Sequence, residues 1–248
     1  MQTATDHDLA SSLATSAGDL LLHVRTRDFA DAKARKDGGD AESHRHLVEQ
    51  LAQRRPADVV LSEEGADDPV RLASDRVWIV DPLDGTREFS ELDRADWAVH
   101  VALWERGELV AGAVALPAEA TTFSTATPYP VPVRPEGPLR LAVSRSRPPA
   151  LVTELSARLR AELVPMGSAG VKAMSVVRGD TDAYVHGGGQ YEWDSAAPVA
   201  VARAAGLHTS RLDGSPLRYN QPSPYLPDLL ICRAELAGPL LAALRDLL

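Results

Sequence analysis

The feature that most restricts the fold of this chain is a short apolar run that ends abruptly at an acidic residue. Residues 77–80 (VWIV) are rich in β-branched side chains and stop at Asp81-Pro82, which is typical of a buried strand. Pro82 restricts Asp81 to extended conformations and removes one backbone donor. We expect the chain then to turn and bring Asp84 back beside Asp81. The sequence therefore predicts paired carboxylates at the C-terminal end of a buried strand.

Apolar spacing predicts two helices before this strand. Residues 8–25 and 41–54 carry apolar side chains at helical intervals. The charged segment 26–40 contains Gly38-Gly39, and we interpret it as a mobile loop. After the strand, residues 97–104 and 109–116 are predicted to form an antiparallel hairpin.

The chain is predicted to consist of two lobes. Five prolines fall within residues 126–139 and mark a boundary there. Residues 1–135 are predicted to form an N-terminal α+β lobe, and residues 136–248 a C-terminal α/β lobe. Short strands alternate with helices in the second half, which favours a largely parallel or mixed sheet covered by helices. The fold class is therefore α/β (α+β).

Composition excludes several classes of function. The formal net charge of −9 argues against binding to a nucleic acid polymer. The first residues lack an apolar signal, and no segment approaches the roughly 20 apolar residues of a membrane span. The one cysteine, Cys232, excludes an intrachain disulfide and fits a reducing compartment. We expect a cytoplasmic protein without a membrane partner, either a monomer or a homodimer.

Further acidic residues are predicted to join Asp81 and Asp84. Glu63 follows a short strand, and Asp194 precedes an alanine-rich helix. Carboxylates this close repel each other unless a cation lies between them. Oxygen ligands favour Mg²⁺ or Mn²⁺. The simpler alternatives are an Asx-turn at Asp81, a solvated loop at Glu63 and a helix N-cap at Asp194.

The two residues after Asp84 predict an anion site. Gly85 has no side chain, so a ligand can approach the backbone closely. If a helix begins here, the N–H groups of Gly85 and Thr86 are free to hold an anion. The Thr86 hydroxyl can orient a water. Together with a metal pair, this arrangement is typical of a phosphate site.

These motifs resemble the lithium-sensitive, Mg²⁺-dependent phosphatase superfamily, which includes inositol monophosphatases, fructose-1,6-bisphosphatases and 3'(2'),5'-bisphosphate nucleotidases. The resemblance runs from about Leu9 to Leu230 and rests on DPLDGT, the upstream Glu63 and Trp193-Asp194. Weaker features resemble the bacterial CysQ-type nucleotidases, namely Arg87–Phe89, Val143–Ser146, Gly167–Gly170 with Lys172, and Leu217–Asn220. The resemblance implies a layered α-β-α-β-α sandwich with the active site between two lobes.

The resemblance also implies roles by position. Two or three Mg²⁺ ions, replaceable by Mn²⁺, would be held by Glu63, Asp81, the Leu83 carbonyl, Asp84 and Asp194. Catalytic roles fall to Thr86, Asp40 and Glu63. Asp40 stands where the family has an aspartate that helps a third metal or the attacking water, and Asp37 is its rival. The implied substrate-binding residues are Gly85, Thr86, Ser144, Arg145, Lys172 and Asp194.

The activity implied is hydrolysis of the 3'-phosphate of 3'-phosphoadenosine 5'-phosphate (PAP) to AMP and phosphate, linked to sulfate assimilation and sensitive to lithium. The alternatives are an inositol-phosphate or fructose-1,6-bisphosphate phosphatase, and a catalytically silent Mg²⁺- or phosphate-binding regulator. In each case the partner is a small phosphorylated molecule.

Several other residues are weaker candidates for the site. His44 and His46 are predicted to be surface residues, and His100 to be structural. Gly187–Gly189 is interpreted as a flexible turn or as room for a substrate. Arg145 is expected either to contact a second phosphate or to stay solvated, and Tyr191 and Tyr219 are candidates for stacking on a base.

Overall fold

Two five-stranded sheets, each built from its own stretch of chain, organise the fold. The computed structural model describes residues 5–248. The strands of the first sheet are β1 Val59–Ser62, β2 Arg76–Asp84, β3 Ala98–Glu105, β4 Glu108–Leu116 and β5 Thr121–Ser124, in that spatial order. The second sheet contains β6 Arg140–Ser144, β7 Glu162–Met166, β8 Ala183–Tyr191, β9 His208–Ser210 and β10 Tyr225–Cys232, in the order β7-β6-β8-β10-β9.

Helices cover and separate the sheets. They are α1 Asp6–Arg25, α2 Ala32–Arg54, α3 Thr86–Ser90, α4 Ala150–Leu159, α5 Ala169–Arg178, α6 Glu192–Ala204 and α7 Ala237–Arg245. Short 3₁₀ turns lie at Pro69–Ala73, Pro117–Glu119 and Ala234–Leu236. The α1–α2 pair packs on one face of the first sheet, and α5 and α6 lie between the sheets. The α4–α7 pair covers the outer face of the second sheet.

Alternation along β2 explains this layering. Trp78 and Val80 pack in the apolar cluster beneath α1 and α2, whereas Val77 and Ile79 pack in the cluster between the sheets. Successive strand residues face opposite sides, so a strand that is apolar at every position must be covered on both faces. The predicted buried strand and the layered sandwich are confirmed.

The two halves of the chain share an apolar core and are joined by polar contacts. The middle cluster takes Ile79 from the first sheet and Ile231 from the second. Buried Arg71 donates to Oδ1 of Asn220 (2.9 Å), and the Asn220 amide donates back to the Arg71 carbonyl (3.0 Å). The proposed division at residue 135 stays a prediction.

The predicted loop at residues 26–40 is wrong from residue 32 onward, because α2 already begins at Ala32. The Asp31 carboxylate caps this helix by accepting from the Ala34 N–H (2.7 Å). A Cβ on Gly39 would lie 2.8 Å from Phe89 Cε1, and one on Gly38 would lie 2.9 Å from Phe29 Cε1. The glycines serve close packing of a helix rather than flexibility.

The interpretation of Gly187–Gly189 as a flexible turn is wrong, while the alternative, room for a substrate, stays a prediction. Residues 187–189 belong to β8, which pairs with β10 across a register shift. Gly188 and Gly189 have φ values of 86° and 84°, a left-handed conformation that favours glycine. The segment is an irregular strand. Within residues 5–248, every helix is too short or too polar to cross a membrane.

We expect Gly39→Ala to lower the melting temperature, although alanine is the better helix former by about 1 kcal/mol. The added methyl group would force buried Phe89 to shift, and overpacking of this kind costs about 1–3 kcal/mol. Thermal unfolding followed by circular dichroism measures the change. Gly238→Ala is the control, because that site in α7 has open space and should be neutral or stabilised. Equal melting temperatures for both variants would contradict the packing explanation.

Candidate metal centre

An irregularity in β2 brings Asp81 and Asp84 together. Asp81 pairs with His100 of β3 and Asp84 pairs with Ala98, with a register shift between them. The strand therefore continues to Asp84 instead of turning after Pro82, which corrects the predicted turn. Residues three apart on a regular strand face opposite sides, whereas here both carboxylates lie in one cluster. Leu83 N–H donates to Oδ1 of Asp81 (3.0 Å), so an Asx-turn is present as well.

Asp194 enters this cluster from the middle helical layer. One oxygen from each of Asp81, Asp84 and Asp194 lies within 4.8 Å of the others, and such a group can hold a metal ion. Helix α6 begins at Glu192, so Asp194 stands in its first turn rather than at the predicted N-cap. Its Oδ2 accepts from the Tyr191 N–H (2.7 Å), which fixes the carboxylate beside the helix start.

Glu63 and Asp40 approach the same centre from the first lobe. Strand β1 runs parallel to β2, so Glu63 follows at the same edge of the sheet as Asp81. The side chain of Glu63 reaches solvent, yet desolvation raises its pKa to about 7. A hydrogen bond with Asp81 lowers this pKa, whereas the charges of Asp84 and Asp40 raise it further. Burial in α2, with the charge of Glu64, raises the pKa of Asp40 to about 7.

Most of these carboxyl groups resist ionisation. Burial, followed by the charges of Glu63 and Asp84, raises the pKa of Asp81 well above its usual range. Burial and the charge of Asp84 raise the pKa of Asp194 to about 7. Like charges crowded in a poorly solvated site have this effect, and a bound cation would remove it. The oxygen donors fit a hard divalent cation.

Asp84 is the exception, and its partners come largely from the second half of the chain. Gly170 N–H donates to Oδ2 (2.7 Å), the Ser168 hydroxyl donates to the same oxygen, and Nε2 of His100 lies 3.2 Å from it. Burial alone would raise the pKa of Asp84, but His100, Lys172 and Ser168 outweigh it and hold the pKa below its usual range. Within residues 5–248, Oδ1 of Asp84 accepts no hydrogen bond, which leaves it open to a ligand.

The sequence analysis missed His100 and Ser168. His100 is buried, and its Nδ1 lies 3.1 Å from the carbonyl of Trp193. Burial lowers its pKa, but Asp84 more than compensates, so the pKa is raised overall. It lies directly opposite Asp81 on the neighbouring strand β3. Ser168 follows a glycine that has no room for a side chain, since a Cβ on Gly167 would lie 2.4 Å from Glu88 Cδ.

Gly85 and Thr86 border the carboxylate cluster. Gly85 has φ 86°, and a Cβ there would lie 3.1 Å from both the Asp96 carbonyl oxygen and Ser168 Cβ. Helix α3 begins at Thr86, as predicted. In the described part of the chain the Thr86 hydroxyl has no hydrogen-bond partner, and the residue lines an open cavity. The unpartnered hydroxyl of Thr86 therefore belongs to a residue that lines space for a ligand.

The remaining predicted substrate residues already have partners. The Arg145 guanidinium pairs with Glu88 (2.7 Å) and Glu91 (3.2 Å). Lys172 is 6% exposed and donates to the carbonyls of Gly167 (3.3 Å) and Ser168. The Ser144 hydroxyl accepts from the N–H of residue 147 (3.3 Å). None of these contacts tests substrate binding directly.

The two tyrosines predicted to stack on a base lie in different environments, and the two histidines predicted on the surface do not lie there. Tyr219 is buried, and its hydroxyl lies 3.1 Å from that of Ser195. Tyr191 is 43% exposed and stacks on Trp193 with ring centroids 4.9 Å apart. His44 and His46 are half-buried rather than on the surface, with hydrogen bonds to Ser62 and Ser16.

The fold and the site together define a cluster of carboxylates that could hold a metal ion, close in sequence to the start of α3. The sequence matches the inositol monophosphatase family over residues 7–247, and the chain belongs to that metal-dependent family. It is 52% identical to the 3'-phosphoadenosine 5'-phosphate phosphatase of Mycobacterium leprae, covering 98% of this chain and 94% of that protein. It is 30% identical to the 3'(2'),5'-bisphosphate nucleotidase CysQ of Escherichia coli K12, covering 88% and 96%. The crystal structure of CysQ from Bacteroides thetaiotaomicron is similar with a TM-score of 0.80 and 26% identity, covering 91% of this chain and 96% of that one.

We expect Asp194→Asn to raise the melting temperature of the metal-free protein at pH 8. The folded-state pKa of about 7 exceeds the ordinary 3.8, so the folded state holds this proton more tightly than the unfolded state. The metal-free protein therefore loses stability as pH rises from about 4 to 7, and the full cost remains at pH 8. Removing the charge should recover at least about 1 kcal/mol, or about 2–4 °C.

Thermal unfolding in EDTA provides the measurement. Asp182→Asn is the control, because the pKa of Asp182 is shifted in the opposite direction. Burial would raise this pKa, but hydrogen bonds and charges from Arg140 and Arg134 outweigh burial and lower it. That variant should melt earlier. A lower melting temperature for Asp194→Asn in EDTA would show that charge crowding is not the dominant energy at this centre.

Proposed function

We propose that this chain is a Mg²⁺-dependent phosphomonoesterase that removes the 3'-phosphate of PAP. The observation that carries the proposal is the cluster of Asp81, Asp84 and Asp194 beside the free hydroxyl of Thr86. The names of the relatives support the substrate, since one is a PAP phosphatase and another a 3'(2'),5'-bisphosphate nucleotidase. An enzyme of this kind works on a small phosphorylated molecule.

The roles proposed for the acidic residues are those that the family resemblance implies. Glu63, Asp81 and the Leu83 carbonyl would hold one Mg²⁺, and Asp81, Asp84 and Asp194 a second. When bound, the ions supply charge neutralisation on the phosphate and make a nearby water more acidic. Clamping of Asp84 by Gly170 and Ser168 keeps its free oxygen in place.

Asp40 is the better candidate than Asp37 for orienting the attacking water. Asp40 is buried and electrostatically coupled to Glu63, whereas Asp37 is exposed and paired with Lys33. A carboxylate held in place inside a helix can accept a hydrogen bond from a water molecule and so orient it. Thr86 would orient the same water through its unpartnered hydroxyl.

Two alternative functions can be distinguished from this proposal by experiment. An inositol-phosphate or fructose-1,6-bisphosphate phosphatase would use the same metal centre with another substrate. A silent phosphate-binding regulator would lack turnover, but the set of Asp81, Asp84, Thr86 and Asp194 is intact in this chain, which favours an enzyme. A cytoplasmic site of action is part of the proposal and rests on the single cysteine.

The deciding experiment compares kcat/KM for PAP, inositol 1-phosphate and fructose 1,6-bisphosphate in the presence of Mg²⁺. We expect PAP to be preferred and EDTA to abolish the activity. Asp81→Asn should remain folded and lose nearly all turnover, because it weakens the ligand proposed to bridge both ions. A higher value for inositol 1-phosphate would assign the substrate differently. Wild-type activity in folded Asp81→Asn would refute the metal centre.

Thr86→Ala should lower kcat more than it raises KM. Positioning of a water acts mainly in the transition state, so its loss reduces turnover while substrate binding is retained. We expect a reduction of at least about tenfold, and Thr86→Ser should retain more activity because it keeps the hydroxyl. Steady-state kinetics with PAP measure the effect. An unchanged kcat in Thr86→Ala would leave Thr86 as a helix-start residue alone.

A further inference from the structure

A strongly cationic cavity opens beside the metal centre. It has a volume of about 470 Å³ and is bordered by Gly85 and Thr86, and cavities of this size accept small organic ligands. Three separate segments of chain place cations on its wall: the first turns of α2, helix α3 and the loop after β6. These cations are Lys33, Lys36, Arg87 and Arg147.

The charge of this cavity is largely uncompensated. Within the described chain, the side chains of Lys36, Arg87 and Arg147 are exposed and have no carboxylate within 4.0 Å, whereas Lys33 pairs with Asp37. Glu88 is the acidic residue on the wall, and its carboxylate pairs with the guanidinium of Arg145 at 2.7 Å. In a chain with net charge −9, a local excess of cations is what a multiply charged anion requires.

Two elements of the fold contribute residues both to the cavity wall and to the neighbourhood of the carboxylate cluster. Thr86 borders both, and Arg87 follows it directly in α3. Helix α2 carries Lys36 on the cavity wall and Asp40 four residues later, and residues four apart lie on the same helix face. A molecule with one phosphate at Thr86 would therefore have a second group in the same cavity as these cations.

We propose that Lys36, Arg87 and Arg147 form the subsite for the second phosphate of the substrate, the 5'-phosphate of PAP. This assignment rests on the proposed function and extends it. Two arginines can grip a phosphate through paired N–H groups. These residues take the place of Arg145, whose charge is compensated by Glu88 and Glu91.

The test compares PAP with 3'-AMP, which carries the same reacting phosphate and the same nucleoside but lacks the 5'-phosphate. The readout is the ratio of kcat/KM for PAP to kcat/KM for 3'-AMP. We expect wild type to favour PAP, and both Arg147→Ala and Lys36→Ala to lower the ratio by about tenfold or more, the effect of one charge-assisted hydrogen bond. Arg147→Lys should retain more of the ratio than Arg147→Ala.

Arg245→Ala is the matched control, because it removes one exposed cation from α7, on the outer layer of the fold. It changes the net charge equally and should leave the ratio unaltered. Thermal unfolding checks that each variant is folded. We expect all of them to fold, because the substituted side chains are exposed.

Each other outcome has a defined meaning. If wild type prefers PAP but the ratio is unchanged in the Lys36 and Arg147 variants, the subsite is wrong while the proposed function stands. If wild type hydrolyses PAP and 3'-AMP equally well, no second-phosphate recognition exists and the subsite is refuted. If wild type hydrolyses neither nucleotide but acts on inositol 1-phosphate, the proposed function fails and the subsite fails with it.

Discussion

Repulsion among buried carboxylates is the constraint around which this structure is arranged. Asp81, Asp84 and Asp194 bring oxygen atoms within 4.8 Å of one another in a region poorly accessible to water. Such a cluster is unfavourable in the absence of a cation, so the surrounding fold must supply the energy that keeps it together. The strand on which two of these residues lie is covered by apolar layers on both faces, and that packing holds them in position.

The second half of the chain completes the centre instead of merely covering it. Asp84 lies in the first sheet, yet its carboxylate is held by Gly170 and Ser168, at the start of a helix between the sheets. Asp194 enters from the neighbouring helix. A shared apolar core and the tie between Arg71 and Asn220 prevent the halves from separating. Affinity for a metal therefore depends on how the halves pack.

Sequence reasoning recovered the elements whose signal is local. The β2 strand and the hairpin followed from apolar runs, whereas Asp81 and Asp84 cluster through an irregularity in the strand and not through the predicted turn. It failed where glycine was involved: Gly39 lies inside a helix because a phenylalanine packs against its backbone, and no local pattern reveals a neighbour fifty residues away. His100 was missed for the same reason, since its importance comes from the strand opposite.

The spread of the ligands along the chain has a consequence for biosynthesis. A ribosome makes residues 63, 81 and 84 long before it reaches residue 194, and the serine that grips Asp84 also comes from the later half. A nascent fragment carries the crowded acids without the groups that complete their environment. The cluster of Asp81, Asp84 and Asp194 is therefore complete only after α6 has been synthesised and docked.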